Sequence, residues 1–161
     1  MIILDIPRIR LYHTGITGQL SDSPAGAVSH SGAVQAQDFT AAAWSLGLRI
    51  RHATRDTIVH AYNDSKILRT HVMRPTWHFV MPEDIRWMLE LTAPRVKAVL
   101  SHYNQKLGLD DALFARSNAA IASALEGHSY LTRQELKAVL AETGIQTDVQ
   151  ALGHNHCAGR A

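Results

Sequence analysis

The chain has 161 residues, 46% of them hydrophobic and 19% charged, with a formal net charge of +2 at pH 7. That length suits one domain or one and a half, and the balance excludes a disordered chain. No apolar run approaches the roughly 18 residues of a membrane span, and no basic segment precedes the first apolar residues. The single Cys157 excludes an internal disulfide framework, so the expected compartment is the cytoplasm and no membrane association is expected.

Residues 6–18 read as a helix with Ile6, Ile9, Leu11 and Ile16 as its apolar positions, and Pro7 is tolerable in the first turn. Ser23 and Pro24 open a second short helix that Gly32 ends. A third runs from Phe39 to about Leu48 behind an Asp38 cap, with Ala42, Ala43, Trp44 and Leu46. Thr54 caps a fourth that reaches Tyr62. Residues 66–80 then read as two short strands around a turn at Met73 to Thr76, where the missing N–H of Pro75 costs no ladder bond.

Pro82, followed by Glu83 and Asp84, is placed to open a longer helix. Pro94 is expected to kink or split it, and Gly108 to close it. Asp110 begins another helix with Leu109, Leu113, Ile121 and Leu125 on one stripe, stopped by Gly127. Thr132 and Glu135 form a capping box ahead of Leu136, Val139 and Leu140. Gly144 ends that helix, and Ile145-Gln146-Thr147 leads toward another. There is no internal repeat and no low-complexity segment.

Two patches carry chemistry. The first is Gln35 and Gln37 in the run Gly32-Ala33-Val34-Gln35-Ala36-Gln37-Asp38. A helix stop and a helix cap bracket this run, so the chain between them should be nearly extended, and residues two apart then point the same way. Two neutral amides, each with a donor end and an acceptor end, would face one spot. The ordinary alternative is a pair of exposed glutamines near a helix start. The second patch is the hairpin, through which Arg69, His71, Arg74 and His78 are spread. Residues 49–74 carry a local charge of +4 while each flank sums to −1, which suits either a phosphate-contacting face or a solvated stripe. Trp44 and Trp77 could stack on a base, although aromatics of that size are more commonly packed in a core. No metal site is expected. Among ten histidines the only tight cluster is His154-Asn155-His156-Cys157, which has no second pair at zinc spacing.

Taken together, the two patches resemble the N-terminal part of the winged-helix DNA-binding family that includes the AlkZ/YcaQ-type DNA glycosylases. Gln35-Ala36-Gln37 matches that family's Gln-hydrophobic-Gln motif. Arg69-Thr70, Met73-Arg74, Thr76 and His78-Phe79-Val80 match its hairpin, and Pro82 to Trp87 continue the match. The resemblance runs from about Ile9 to about His154, and Asn155 to Ala161 depart from it. Members usually continue for about as long again, which makes a truncated or frame-shifted gene the plain expectation.

The resemblance implies a mainly α fold with a small β-hairpin, a winged helix-turn-helix that is the first of several tandem modules. The expected organisation is a first module over 1–81, connecting helices over 82–108, and the start of a second module over 109–161. The implied activity is hydrolysis of the N-glycosidic bond of alkylated bases. Gln35 and Gln37 would position water, while Arg69, Arg74, Thr76 and His78 would meet double-stranded DNA that is alkylated or crosslinked. No cofactor is implied. Two other readings share the fold: a winged-helix DNA-binding protein or regulator without catalysis, and an inactive truncated product.

Overall fold

The structure, a computed structural model, describes residues 5–18, 20–73, 76–127 and 130–145. The chain divides into two compact units between Met88 and Leu89. Among the described residues no helix is long and apolar enough to cross a membrane.

The first unit begins with α1 (Ile6–His13), capped by the Asp5 side chain, which accepts the Arg8 N–H. The helix stops well short of residue 18. Thr14 Oγ1 donates back to the Arg10 carbonyl at 2.9 Å, and Gly15 turns the chain with φ +73°, a conformation a side chain would strain. Its apolar residues face outward: Ile6 is 56% exposed, and Ile9 and Leu11 are exposed too. Only eight residues long, α1 buries none of its side chains.

α2 (Pro24–Ser31) follows its Ser23 cap and ends at Gly32, as the sequence indicates. The extended run after Gly32 is a true strand, β1 (Ala33–Gln35), which the hairpin expectation did not include. α3 (Phe39–Gly47) starts at Asp38, whose carboxylate accepts the Ala41 N–H at 2.7 Å. α4 (Arg55–Asn63) starts at a reciprocal capping box between Thr54 and Thr57. The hairpin forms as β2 (Leu68–His71) and β3 (Trp77–Val80).

These strands make one antiparallel sheet in the order β1-β3-β2. Gln35 lies opposite His78 and Val34 opposite Phe79, while on the other edge Thr70 lies opposite His78 and His71 opposite Trp77. The sequence helix, strand, helix, helix, strand, strand from α2 to β3, with the last strand central, is a winged helix-turn-helix. Val28 of α2, Leu46 of α3, Ile58 of α4, Ile67, and Phe79 of β3 fill its core. The Phe39 ring meets the Phe79 ring edge-on at 5.6 Å, which ties the start of α3 to the central strand. The core therefore sits directly beneath the segment that joins β1 to α3.

α5 (Ile85–Lys106) crosses from the first unit into the second. It begins three residues after Pro82, because residues 82–84 form a turn instead of a first helical turn. Asp84 serves that start: its backbone carbonyl accepts from Met88 and its carboxylate from Trp87 Nε1. Pro94 does not split the helix, which runs on without the N–H that Pro94 lacks. In the second unit α6 (Asp111–Leu125) is capped by Asp110, and α7 (Arg133–Glu142) by the Thr132–Glu135 box. Leu140 and Ile145 are buried against Leu113, Ala120 and Ile121, so two residues of the expected stripe reach this cluster. The turn toward a further helix after Ile145 lies outside the described residues.

Candidate functional site

Gln35 ends β1, and pairing continues one residue past it: the Ala36 N–H donates to the Trp77 carbonyl at 2.7 Å. Ala36 is fully buried while Gln35 and Gln37 are exposed. The side chains alternate as in an extended chain, so the two amides share the outer side. Ala36, the small apolar residue between them, anchors the segment to the core.

Gln37 is held in place. Its side-chain carbonyl oxygen accepts the Trp77 N–H at 3.3 Å, which also fixes which end of the amide is oxygen. Its backbone carbonyl accepts from Arg69 Nη2 at 3.1 Å, and Arg69 Nε donates to the Ala36 carbonyl at 2.9 Å. The guanidinium carbon of Arg69 lies 4.7 Å from the Trp77 ring centroid and 6.0 Å from that of Phe39. The His71 ring also lies against Trp77, with centroids 4.1 Å apart and planes tilted by 41°. Arg69 and His71 thus both contact Trp77 on one face of the hairpin.

The four residues expected to meet DNA fall in different settings. Arg69 is half-buried and turned onto the backbone of residues 36 and 37. His78 is 4% exposed, with Nδ1 2.9 Å from the Thr76 carbonyl, so its ring lies inside the unit and not on its surface. In the register of the sheet it lies between Gln35 and Thr70. Thr76 is half-buried, and among the described residues its Oγ1 has no hydrogen-bond partner. Arg74 lies outside the described residues.

The basic stretch is less open than its sequence suggests. Arg49 donates to the carbonyls of Thr14 and Ser45, Arg51 pairs with Asp22 at 3.5 Å, and Lys66 lies 3.8 Å from Asp64. Arg55, in the first turn of α4, is exposed. Trp44 does not take the core position expected of a large aromatic: it is 70% exposed on α3. The cluster around Trp77 was not foreseen, yet the pattern contained a signal for it. Positions 69 and 71 share a strand face, and the register of the hairpin brings 77 opposite 71. Among the described residues no cluster of three or more His, Cys, Asp or Glu side chains is gathered for a metal; His154 to Cys157 lie outside them.

A family model described as "DNA glycosylase AlkZ-like" matches residues 28–160. No curated protein matches the chain. Among solved structures, the Streptomyces sahachiroi DNA glycosylase AlkZ superposes with a TM-score of 0.73 at 22% identity, covering 92% of this chain and 38% of its own. At that identity the likeness is one of fold, and the chain spans 38% of the length of that relative. Because the family match takes in both the segment carrying the two glutamines and the whole hairpin, the chain belongs to the AlkZ-like DNA glycosylase family.

Proposed function

We propose that this chain takes part in hydrolysing the N-glycosidic bond of an alkylated base in double-stranded DNA, with Gln35 and Gln37 at the reacting centre. The observation that carries the reading is the pair of amides exposed on either side of buried Ala36. One of the two is already fixed by the Trp77 N–H.

An N7-alkylated purine carries positive charge on the base. When the bond from C1′ to N9 breaks, its electron pair neutralises that charge, so no general acid is required. The sugar is left oxocarbenium-like, water adds its oxygen to C1′, and the water proton passes to solvent. Two neutral amides can orient that water and contact the sugar or its phosphate. They cannot act as strong bases, because glutamine does not titrate in the working range. Positioning alone can supply several kcal/mol, of the order assigned to well-oriented groups. Bases without the alkyl charge are accordingly poor substrates. The Gln37 carbonyl oxygen keeps a second lone pair after accepting from Trp77, so either glutamine can hold the water.

In this reading Arg74, Thr76 and Arg55 of α4 contact the duplex, with crosslinked or simply alkylated lesions as substrates. Arg69 and His78 face inward and support the sheet that carries the glutamines. The same reading takes 109–161 as the opening of a second winged-helix module.

The test uses a fluorescent duplex with one N7-methylguanine, following anisotropy for binding and alkaline strand cleavage for base release in the same samples. Native chain is compared with the double variant Gln35→Ala, Gln37→Ala. Cleavage by the native chain that the variant loses, with binding retained, is the expected result. Binding without cleavage by the native chain favours a DNA-binding module without catalysis. Absence of binding at low salt counts against both.

A further inference from the structure

The two carbonyls that Arg69 reaches, those of Ala36 and Gln37, belong to successive residues. In a continuing strand, successive carbonyls point to opposite edges. One guanidinium can serve both only where the chain leaves the strand, and here it does so to enter the Asp38 cap of α3. Arg69 therefore fixes the bend at which Gln37 is mounted. The contacts also close a circuit. Arg69 holds the Gln37 backbone, the Gln37 side chain holds the Trp77 N–H, and the Trp77 ring covers Arg69. A guanidinium suits this place because it is planar and presents its donors as a rigid fork, whereas an ammonium offers one compact charge with no face to stack.

We infer that Arg69 is the positioning residue of the Gln35–Gln37 site, acting through the backbone of residues 36 and 37 and through Trp77, without touching DNA. The inference rests on the reading of the glutamines as the reacting pair. It separates Arg69 from the basic residues around it: Arg69 aims a pair of amides, whereas a phosphate contact would hold the duplex.

Two variants of the full chain test it. Arg69→Lys keeps the charge and loses the fork, and Arg69→Gln loses both. Amide exchange at Ala36 and Trp77, followed by NMR, is expected to rise by about tenfold or more in both variants, while Leu46 and Ile58 keep native protection. Native-like exchange at both amides in Arg69→Lys overturns the inference. On the methylated duplex, base release by either variant is expected to fall about 10- to 100-fold in kcat with KM little changed, as removal of a positioning contact predicts. The slope of log binding constant against log salt is expected to stay native in Arg69→Gln. A slope shallower by about 0.9, the value for one phosphate contact, also overturns the inference. If the native chain binds the duplex and releases no base, the glutamine reading fails by itself. The exchange data still decide whether Arg69 holds the segment.

Discussion

In the winged-helix unit, three helices and a three-stranded sheet close over one core, and Val28, Leu46, Ile58, Ile67 and Phe79 are all at or near full burial there. In the second unit, the cluster shared by α6 and α7 buries Leu140 and Ile145 against three partly buried neighbours. Both units use a reciprocal Thr capping box to start a helix, at Thr54 and at Thr132. A cap contributes about 1 kcal/mol wherever it occurs, so the difference between the units lies in how many directions each core is enclosed from. A segment mounted over a core closed on several sides can be held rigidly, and the two glutamines are mounted there.

The most direct way to break this comparison is to empty the first core. Phe79→Ala removes a fully buried ring from the central strand together with its edge contact to Phe39. The expected loss is about 3–5 kcal/mol, read as a lower midpoint in urea denaturation. Because Phe79 lies beneath the junction of β1 and α3, exchange at the Ala36 amide should rise as well. A loss below about 1 kcal/mol would mean that the sheet is not the closing wall of this core.

The second unit offers the matching experiment. Leu140→Ala removes the one fully buried side chain of α7. A cavity with partly exposed neighbours can collapse more easily, so the loss should lie near the lower end of the usual range, about 2–3 kcal/mol. Amide exchange along α6 and α7 reports it. A loss as large as that of Phe79→Ala would erase the distinction between the two cores.

What the sequence made legible follows the same line. Caps and stops are local chemistry, and Ser23, Asp38, Thr54, Asp110 and Thr132 all cap the helices read from them. The hairpin was legible because β-branched and aromatic residues flank a turn. β1 was read only as an extended run, because a three-residue strand becomes a strand through its partner β3, and no local pattern encodes that partner. The resemblance puts Arg69 and His78 among the residues that would meet DNA. Their actual settings depend on the register Gln35 to His78 and on carbonyls more than thirty residues away. Nothing local in α1 distinguished its apolar face from one that is buried.

A smaller effect sharpens the contrast inside the first unit. Gln37 and Gln35 are both exposed, yet only Gln37 has its side chain engaged by a backbone N–H in the hydrogen bonds described. Gln37→Ala should cost about 1 kcal/mol, the net worth of one hydrogen bond. Gln35→Ala should stay within about 0.5 kcal/mol, as an ordinary surface change. Urea denaturation of the two single variants separates them. Equal values would mean that the bond to Trp77 does not form in solution and that neither amide is held in advance.

The smallest expected effect belongs to the largest side chain considered. Trp44 is 70% exposed, and Leu48, four residues on, is exposed with it, while Ala42, Ala43 and Leu46 of the same helix are buried. α3 therefore turns Ala42, Ala43 and Leu46 inward, toward α2 and α4, and leaves its indole outside. A tryptophan in a core costs about 3–5 kcal/mol when cut to alanine, whereas one standing in solvent loses little. Trp44→Ala is expected to shift stability by no more than about 0.5 kcal/mol, measured by the same urea titration. A core-sized loss would place the indole against apolar neighbours in solution, and the division of α3 into a buried face of Ala42, Ala43 and Leu46 and an outer face carrying Trp44 would then be wrong.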